Sequence, residues 1–409
     1  MTTNRRIFLK NSAIAMAGTG AVPLWLGRAA YAADRAPRKK VLVTIFQRGA
    51  ADGLNIVIPH GEAEYYKLRP SIGVARPGTG ENSAIDLDGF FGLHPALAPL
   101  QPLWGDGQLA ILHATGSPDP TRSHFDAQDY MESGTPGVKA TSDGWLNRAL
   151  LPAAGTPSPV RAVSLGAALP RALRGLNSAV AVQSLGSFTV HDPRASELFE
   201  SMYTETGDQV LGAAGRETFD ALRLLRSLQE TPYQAAGGAV YPRGRLGSSL
   251  QQIAQLIKAD VGLEVAFADL NGWDHHVNEP GQLPGMLREF GGALAAFARD
   301  LGTRIEDVVV VTMSEFGRTA RENGNRGTDH GHANVMFALG GAVKGGKVYG
   351  EWPGLAAEQL YERRDLAVTT DFRDVLSEAV TVQLSNARAG SIFPRYQSGA
   401  EKFRGWLKA

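Results

Sequence analysis

A chain of 409 residues with 43% hydrophobic and 20% charged residues is long and apolar enough to bury a large core, which excludes a disordered or collagen-like protein. Its 41 Lys+Arg balance 41 Asp+Glu, so no strongly basic field directs it to nucleic acid or an anionic membrane. The absence of Cys removes disulfides, thiolate nucleophiles, Cys-ligated zinc and iron–sulfur clusters together, leaving His, Asp, Glu and hydroxyl or carbonyl oxygen as the only ligands for a metal.

At the start of the chain, Arg5 and Arg6 stand before Ile7, Phe8 and Leu9, and Lys10 precedes a moderately apolar run from Ala13 to Leu26. Ala30 and Ala32 then supply the small residues that a signal peptidase reads. This segment, 1–32, looks like a twin-arginine signal. Its apolar run, broken by Pro23, falls short of the roughly 20 residues needed to span a bilayer, so it reads as a removable address rather than a stable membrane anchor. The expectation is a periplasmic or secreted protein that meets the twin-arginine translocase during export and is cleaved near Ala32. Residues 1–32 hold Arg5, Arg6, Lys10 and Arg28 and no acid, so their removal leaves 37 bases against 41 acids, a formal charge of −4. Folding before export is compatible with the missing disulfides.

A basic linker, 33–40, leads into Val41–Phe46, a short β-branched run of the kind that forms a strand buried on both faces. Similar runs follow at Leu109–His113, Val160–Leu165, Ala179–Val182, Leu263–Phe267, Val308–Thr312 and Val335–Leu339. Between them, apolar residues at three- and four-residue spacing predict helices over Ala96–Trp104, Ala195–Tyr203, Arg216–Leu228, Leu246–Ala259 and Leu283–Leu301. Alternating strands and helices predict one α/β domain over 41–409, a doubly wound, mainly parallel sheet flanked by helices. The nearly all-helical stretch from about 192 to 259 reads as a helical insertion.

Ligands of an open α/β sheet gather beyond the carboxyl ends of its strands. The first run leads into a Gly-punctuated loop with Arg48, Asp52 and Asn55, and the second into Thr121, Arg122, Ser123 and His124. The Leu263 run leads into Asp274, His275 and His276, and the Val308 run into Ser314, Glu315 and Arg318. Asp329, His330, Gly331 and His332 come just before the Val335 run. Asp with imidazole suits Zn, Mn or Fe, and further carboxylates admit Ca or Mg. Each segment also has a plainer reading: Asp274 as a helix cap beside a surface His, Asp329 to His332 as a hydrogen-bonded turn, Asp52 as a turn former, Thr121 and Ser123 as loop hydroxyls, Glu315 as a solvated carboxylate. A bare hydroxyl becomes a nucleophile only beside a positive charge such as Arg122 or a metal. His60, His94, His113 and His191 have no acidic or His cluster around them and read as structural. No dinucleotide or phosphate-loop fingerprint is present, and no Gly-x-Ser-x-Gly elbow.

Taken together, Arg48 to Asn55, Thr121 to Asp126, Gly272-Trp273-Asp274-x-His276, Met313 to Thr319 and Thr328 to His332 resemble an uncharacterised family of exported bacterial proteins, usually with twin-arginine signals, placed among alkaline phosphatase-like and sulfatase-like proteins. The resemblance covers nearly the whole mature chain. It implies an alkaline phosphatase-like fold holding one or two divalent metals against a hydroxyl nucleophile. By position it makes Asp52 the acid after the first strand, Thr121 or Ser123 the nucleophile region, Asp274 and His276 ligands, and His330 or His332 the His before a late strand. Three departures stand out. Ser314 and Glu315 replace an Asp-His pair, the acid and His at 274 and 276 are two residues apart rather than four, and Pro118 fills the reactive slot of the sulfatase motif, which argues against formylglycine chemistry. His275 stands where the resemblance leads one to expect Thr.

The leading expectation is a metal-dependent hydrolase of phosphate or sulfate esters on an anionic small molecule or polymer. Asp52, Asp274, His276, Glu315, Asp329, His330 and His332 would hold Zn, Mn, Mg or Ca, with Thr121 or Ser123 as nucleophile and Arg48, Arg122 or Arg318 clamping the anion. A non-catalytic binding or scaffold protein on a degenerate hydrolase fold is the alternative, and a cofactor-dependent oxidoreductase a third reading.

Overall fold

The computed structural model describes residues 38–152, 157–187, 201–202, 209–229 and 232–408. The signal segment 1–32, most of the linker, the helix over Ala195–Tyr203 except its residues 201–202, and His191 therefore lie outside the described residues. Among the described residues, nine strands form the main sheet: β1 (Val41–Arg48), β2 (Leu109–Gly116), β3 (Ala162–Leu165), β4 (Val180–Ala181), β5 (Val265–Asn271), β6 (Val308–Met313), β7 (Asn334–Gly340), β8 (Lys347–Tyr349) and β9 (Thr370–Asp371). Their spatial order is β8-β2-β7-β6-β1-β5-β3-β4, with β9 also paired to β2.

β1 is the central strand, paired in parallel with β5 (Leu42 opposite Val265) and with β6 (Val43 opposite Val310). Its side chains alternate between two apolar layers. Val41, Val43 and Ile45 pack with Leu250, Ile253 and Ile257 of α3 (Arg245–Lys258) and with Leu287, Phe290 and Leu294 of α4 (Glu279–Leu301). Leu42 and Phe46 face the other way, onto Phe372, Val375 and Leu376 of α5 (Phe372–Gln383). A strand covered on both faces has no polar side to show, which is why it reads as an unbroken apolar run. α3 belongs to the main core, so this part of the stretch expected as an insertion is a layer of the fold itself. α2 (Gln209–Ser227) lies in the same stretch. The helix expected over Ala96–Trp104 is a 3₁₀ turn, Pro95–Leu100, followed by the short helix Gln101–Gly105; Pro99 and Pro102 lack the N–H that a regular helix needs.

The described sheet is mixed and mostly parallel, because β7 runs antiparallel to both β2 and β6. Reversal has a geometric consequence. The residues that precede β7 lie at the same sheet edge as those that follow β1, β2, β5 and β6. No helix among the described residues is long and apolar enough to cross a membrane.

Candidate metal centre

Four segments converge at that edge. β5 leads into Gly272 and Trp273, whose buried indole donates to the Leu270 carbonyl, and the next residue is Asp274. After β6 and before β7 the chain continues as an irregular antiparallel pair: Gly317 N donates to His332 O at 2.8 Å and Gly331 N to Gly317 O at 2.8 Å. A side chain at Gly317 would run into the Ala333 carbonyl, so this close approach requires glycine. The pairing sets His330 opposite Arg318. α1 (His124–Ser133) supplies His124 as its first residue and ends at Gly134, whose φ of 70° suits a left-handed cap. Phe316 packs under His124 and His330, with ring centroids 5.0 Å from each, and gives the pair an apolar floor.

The atoms facing the centre are two imidazole nitrogens and one carboxylate. His124 Nε2 lies 3.0 Å from His330 Nε2, His330 Nε2 3.3 Å from Asp274 Oδ1, and His124 Nε2 3.5 Å from Asp274 Oδ2. In tetrahedral coordination at about 2.0–2.1 Å, neighbouring ligands sit about 3.3 Å apart; these separations are of that order, the two to Asp274 running to different oxygens of its carboxylate. His276 adjoins from the outer side, its Nε2 3.0 Å from His330 Nε2 and 2.9 Å from Asp274 Oδ1.

Each ring is held by its other nitrogen. His124 Nδ1 donates to Glu315 Oε1 at 2.8 Å, His330 Nδ1 to the Arg122 carbonyl at 2.9 Å, and His276 Nδ1 to Asp329 Oδ1 at 3.3 Å. Carboxylates and carbonyls can only accept, so the Nδ1 positions carry protons, and in the neutral form of the rings the Nε2 lone pairs of His124 and His276 face that of His330. Lone pairs 3.0 Å apart repel unless a positive charge, a proton or a metal ion, sits among them. The bond to Glu315 raises the pKa of His124 against the opposing effect of burial, whereas burial lowers that of His330. For Asp274 burial acts upward but is outweighed by Arg318, which donates to it at 2.5 Å, and its carboxyl stays below the usual range.

Of the expected ligands, the structure brings together Asp274, His276 and His330. Glu315 is buried behind His124, where Oε1 also accepts from Gly49 N and Gln128 Nε2, each at 2.8 Å. Asp329 stands behind His276 and accepts from Asn323 as well. His332 is turned away and stacks on Tyr361 with centroids 4.5 Å apart. Asp52 is placed elsewhere: Oδ1 caps the turn at Leu54 and Asn55, and Oδ2 meets the buried Arg69 at 2.7 Å. The three expected anion clamps are already engaged. Arg48 is held by Glu132 and Asp269, Arg122 by Glu362 and Asp365, and Arg318 by Asp274 and the carbonyls of Gly49, Ala50, Trp273 and Thr328. Thr121 Oγ1 accepts from Ser123 N, while Ser123 is exposed at the start of α1 with no capping bond from its side chain.

His124 is the ligand that sequence reasoning missed. Its available signal was a His directly after the Thr-Arg-Ser stretch that follows an apolar strand. His275 is buried, and burial lowers its pKa to about 4, with both ring nitrogens unpartnered among the described residues. The buried His113 is stacked on Phe91, and His60 and His94 bond locally to Asp86 and to Ala96 N.

The profile of a family described as "Protein of unknown function (DUF1501)" matches residues 39–383. No curated protein matches the chain. Similar solved structures include the lipoteichoic acid synthase LtaP from Listeria monocytogenes, at 10% identity over 74% of this chain and 65% of that one, with a TM-score of 0.32. They also include the alkaline phosphatase of the Antarctic bacterium TAB5, at 11% identity over 74% and 92% with a TM-score of 0.30, and a Mg-bound mutant of it, at 12% identity over 74% and 92% with a TM-score of 0.30. At this level of superposition these likenesses bear on no residue's role.

Proposed function

The chain belongs to that family, and from this premise we propose that it is a divalent-metal protein that hydrolyses phosphate or sulfate esters after export through the twin-arginine route. One observation carries the reading: His124, His330 and Asp274 each offer a ligand atom, and these atoms all lie within 4.8 Å of one another, close enough for one divalent ion to bridge them. The orienting bonds at every Nδ1 and the imidazole-rich donor set support Zn over Mn, Ca or Mg. Three ligands with an open fourth position are the pattern of catalytic rather than structural zinc. A bound divalent ion would supply Lewis-acid polarisation of the ester and neutralise developing charge.

The chain's own residues set the rest. Arg318 fixes the Asp274 carboxylate, Glu315 and the Arg122 carbonyl fix the tautomers of His124 and His330, and Phe316 closes the floor against water. Ser123, next to His124, is the hydroxyl left free to attack; Thr121 is engaged with Ser123 N. The engagement of Arg48, Arg122 and Arg318 with acids favours the second reading, a binding protein without turnover. Elemental mass spectrometry on protein purified without chelator or tag, with ester turnover on the same sample, tests both. Near-stoichiometric metal that is lost in His330→Ala, together with hydrolysis of a phosphate or sulfate monoester, is expected. Wild-type protein that takes up no ion would overturn the reading, and metal without turnover would select the binding protein.

A further inference from the structure

We propose that the substrate is an extended anion bearing successive phosphate or sulfate groups, gripped by two arginine-rimmed clefts that leave the metal centre on different sides; this rests on the hydrolase reading for its chemistry. The first cleft, about 510 Å³, runs along α1. It reaches the centre through Gln128, which donates to the Glu315 that holds His124. Arg174 and Arg245 line it, both exposed and without an ion-pair partner among the described residues. The second cleft, about 370 Å³, reaches the centre through Asp329, which holds His276. Arg321 and Arg363 line this one, again exposed and without an ion-pair partner among the described residues.

The other arginines in the two clefts are compensated. Arg48 is held by Glu132 and Asp269, Arg171 by Asp129, and Arg364 by Asp365. Each cleft is thus left with two guanidinium groups facing solvent, in the second beside Glu322, whose carboxylate accepts from Ser71 N and Ile72 N, and a guanidinium fork matches two oxygens of a tetrahedral oxyanion. Glu362 and Arg363 both hold left-handed backbone, with φ of 51° and 56°, an unfavourable conformation for two consecutive side chains, the second of which lines this cleft. A single monoester seated at the centre would leave both pairs unused. A chain passing through the centre engages both, and Phe125, 91% exposed at the first cleft, offers an apolar face to the carbon backbone between charges.

The test is calorimetric titration of the full chain with dextran sulfates of graded length and with linear polyphosphates of graded length, using inorganic sulfate and orthophosphate as single-anion controls. Affinity is expected to rise with length in at least one series and to weaken with added salt. It should fall on the order of tenfold in each of R174A/R245A and R321A/R363A, because each double variant removes one of two linked contacts. Length dependence with only one polymer supports the clefts and assigns the oxyanion. Affinity independent of length, or double variants that bind like wild type, overturns the proposal. Metal content of the same samples keeps the readings apart: metal present without length dependence removes the clefts alone, and length dependence without metal supports the clefts and removes the metal reading alone.

Discussion

Asp52→Asn separates a residue that builds the site from one that binds the ion. Asp52 and Arg69 are almost fully buried, and Arg69 also donates to the carbonyls of Ala320 at 3.0 Å and Thr319 at 2.8 Å, tying the loop after β1 to the segment after β6. Asparagine keeps an oxygen for capping Leu54 and Asn55 but turns an amide toward the guanidinium. Breaking a buried ion pair by removing one partner typically costs about 3–5 kcal/mol. Glu279 moderates this. Burial, and then the negative charge of Asp52, push the pKa of its carboxyl well above the ordinary range, which favours its neutral form beside Asp52. Without that charge Glu279 can ionise and balance Arg69, reducing the loss to that of one buried charge-assisted hydrogen bond, about 1.5–3 kcal/mol. A pH signature follows. A carboxyl whose folded pKa is raised binds more protons folded than unfolded, so its stabilising effect is full below the unfolded value of about 4.3 and is lost as pH rises through the folded value. Urea unfolding from pH 4.5 to 8 should show this decline in the wild type and a flatter profile in Asp52→Asn, with unchanged metal content by elemental analysis. A variant that sheds its metal as His330→Ala does, or that matches wild-type stability, refutes the reasoning.

Glu315→Gln leaves a neutral partner behind His124 and should weaken metal affinity about ten- to a hundred-fold, read by competition with a chromogenic chelator; unchanged affinity would show that His124 needs no carboxylate behind it. Metal uptake should fall as pH is lowered from 8, starting above the ordinary His value of about 6.5, because the bond to Glu315 raises the pKa of His124 and an imidazolium cannot ligate; uptake that stays flat down to pH 5.5 contradicts the ligand assignment. Gly317→Ala should lower the urea midpoint and the metal content together, by about 2 kcal/mol or more in stability, since the new Cβ meets the Ala333 carbonyl where His330 is positioned.

The strands around β1 could be read from the chain because a strand covered by helices on both faces leaves an uninterrupted apolar run, and the rule that ligands gather at strand ends then pointed to Asp274 and Glu315. Strand direction has no such signature. Nothing in the composition of Val335–Leu339 tells an antiparallel strand from a parallel one, yet the reversal of β7 is what brings His330 to the same edge as Asp274. α1 was missed because its side chains serve the site and the first cleft, which weakens the apolar spacing that marks a core helix. His124 became visible only with Glu315, 191 residues away in the chain, folded against it.

Which oxygen faces an ion and which faces a histidine is equally a product of folding, and here it has a chemical result. A shell built from Asp52, Asp274, Glu315 and Asp329 would put four negative charges on a divalent ion and quench its pull on an ester. The structure leaves Asp274 as the only carboxylate among the facing atoms of the described residues, sends Asp52 to Arg69, and sets Glu315 and Asp329 behind His124 and His276. From there they make the imidazoles better donors without adding their own charge to the coordination sphere, so an ion held at this centre keeps the electrophilic character that ester hydrolysis needs.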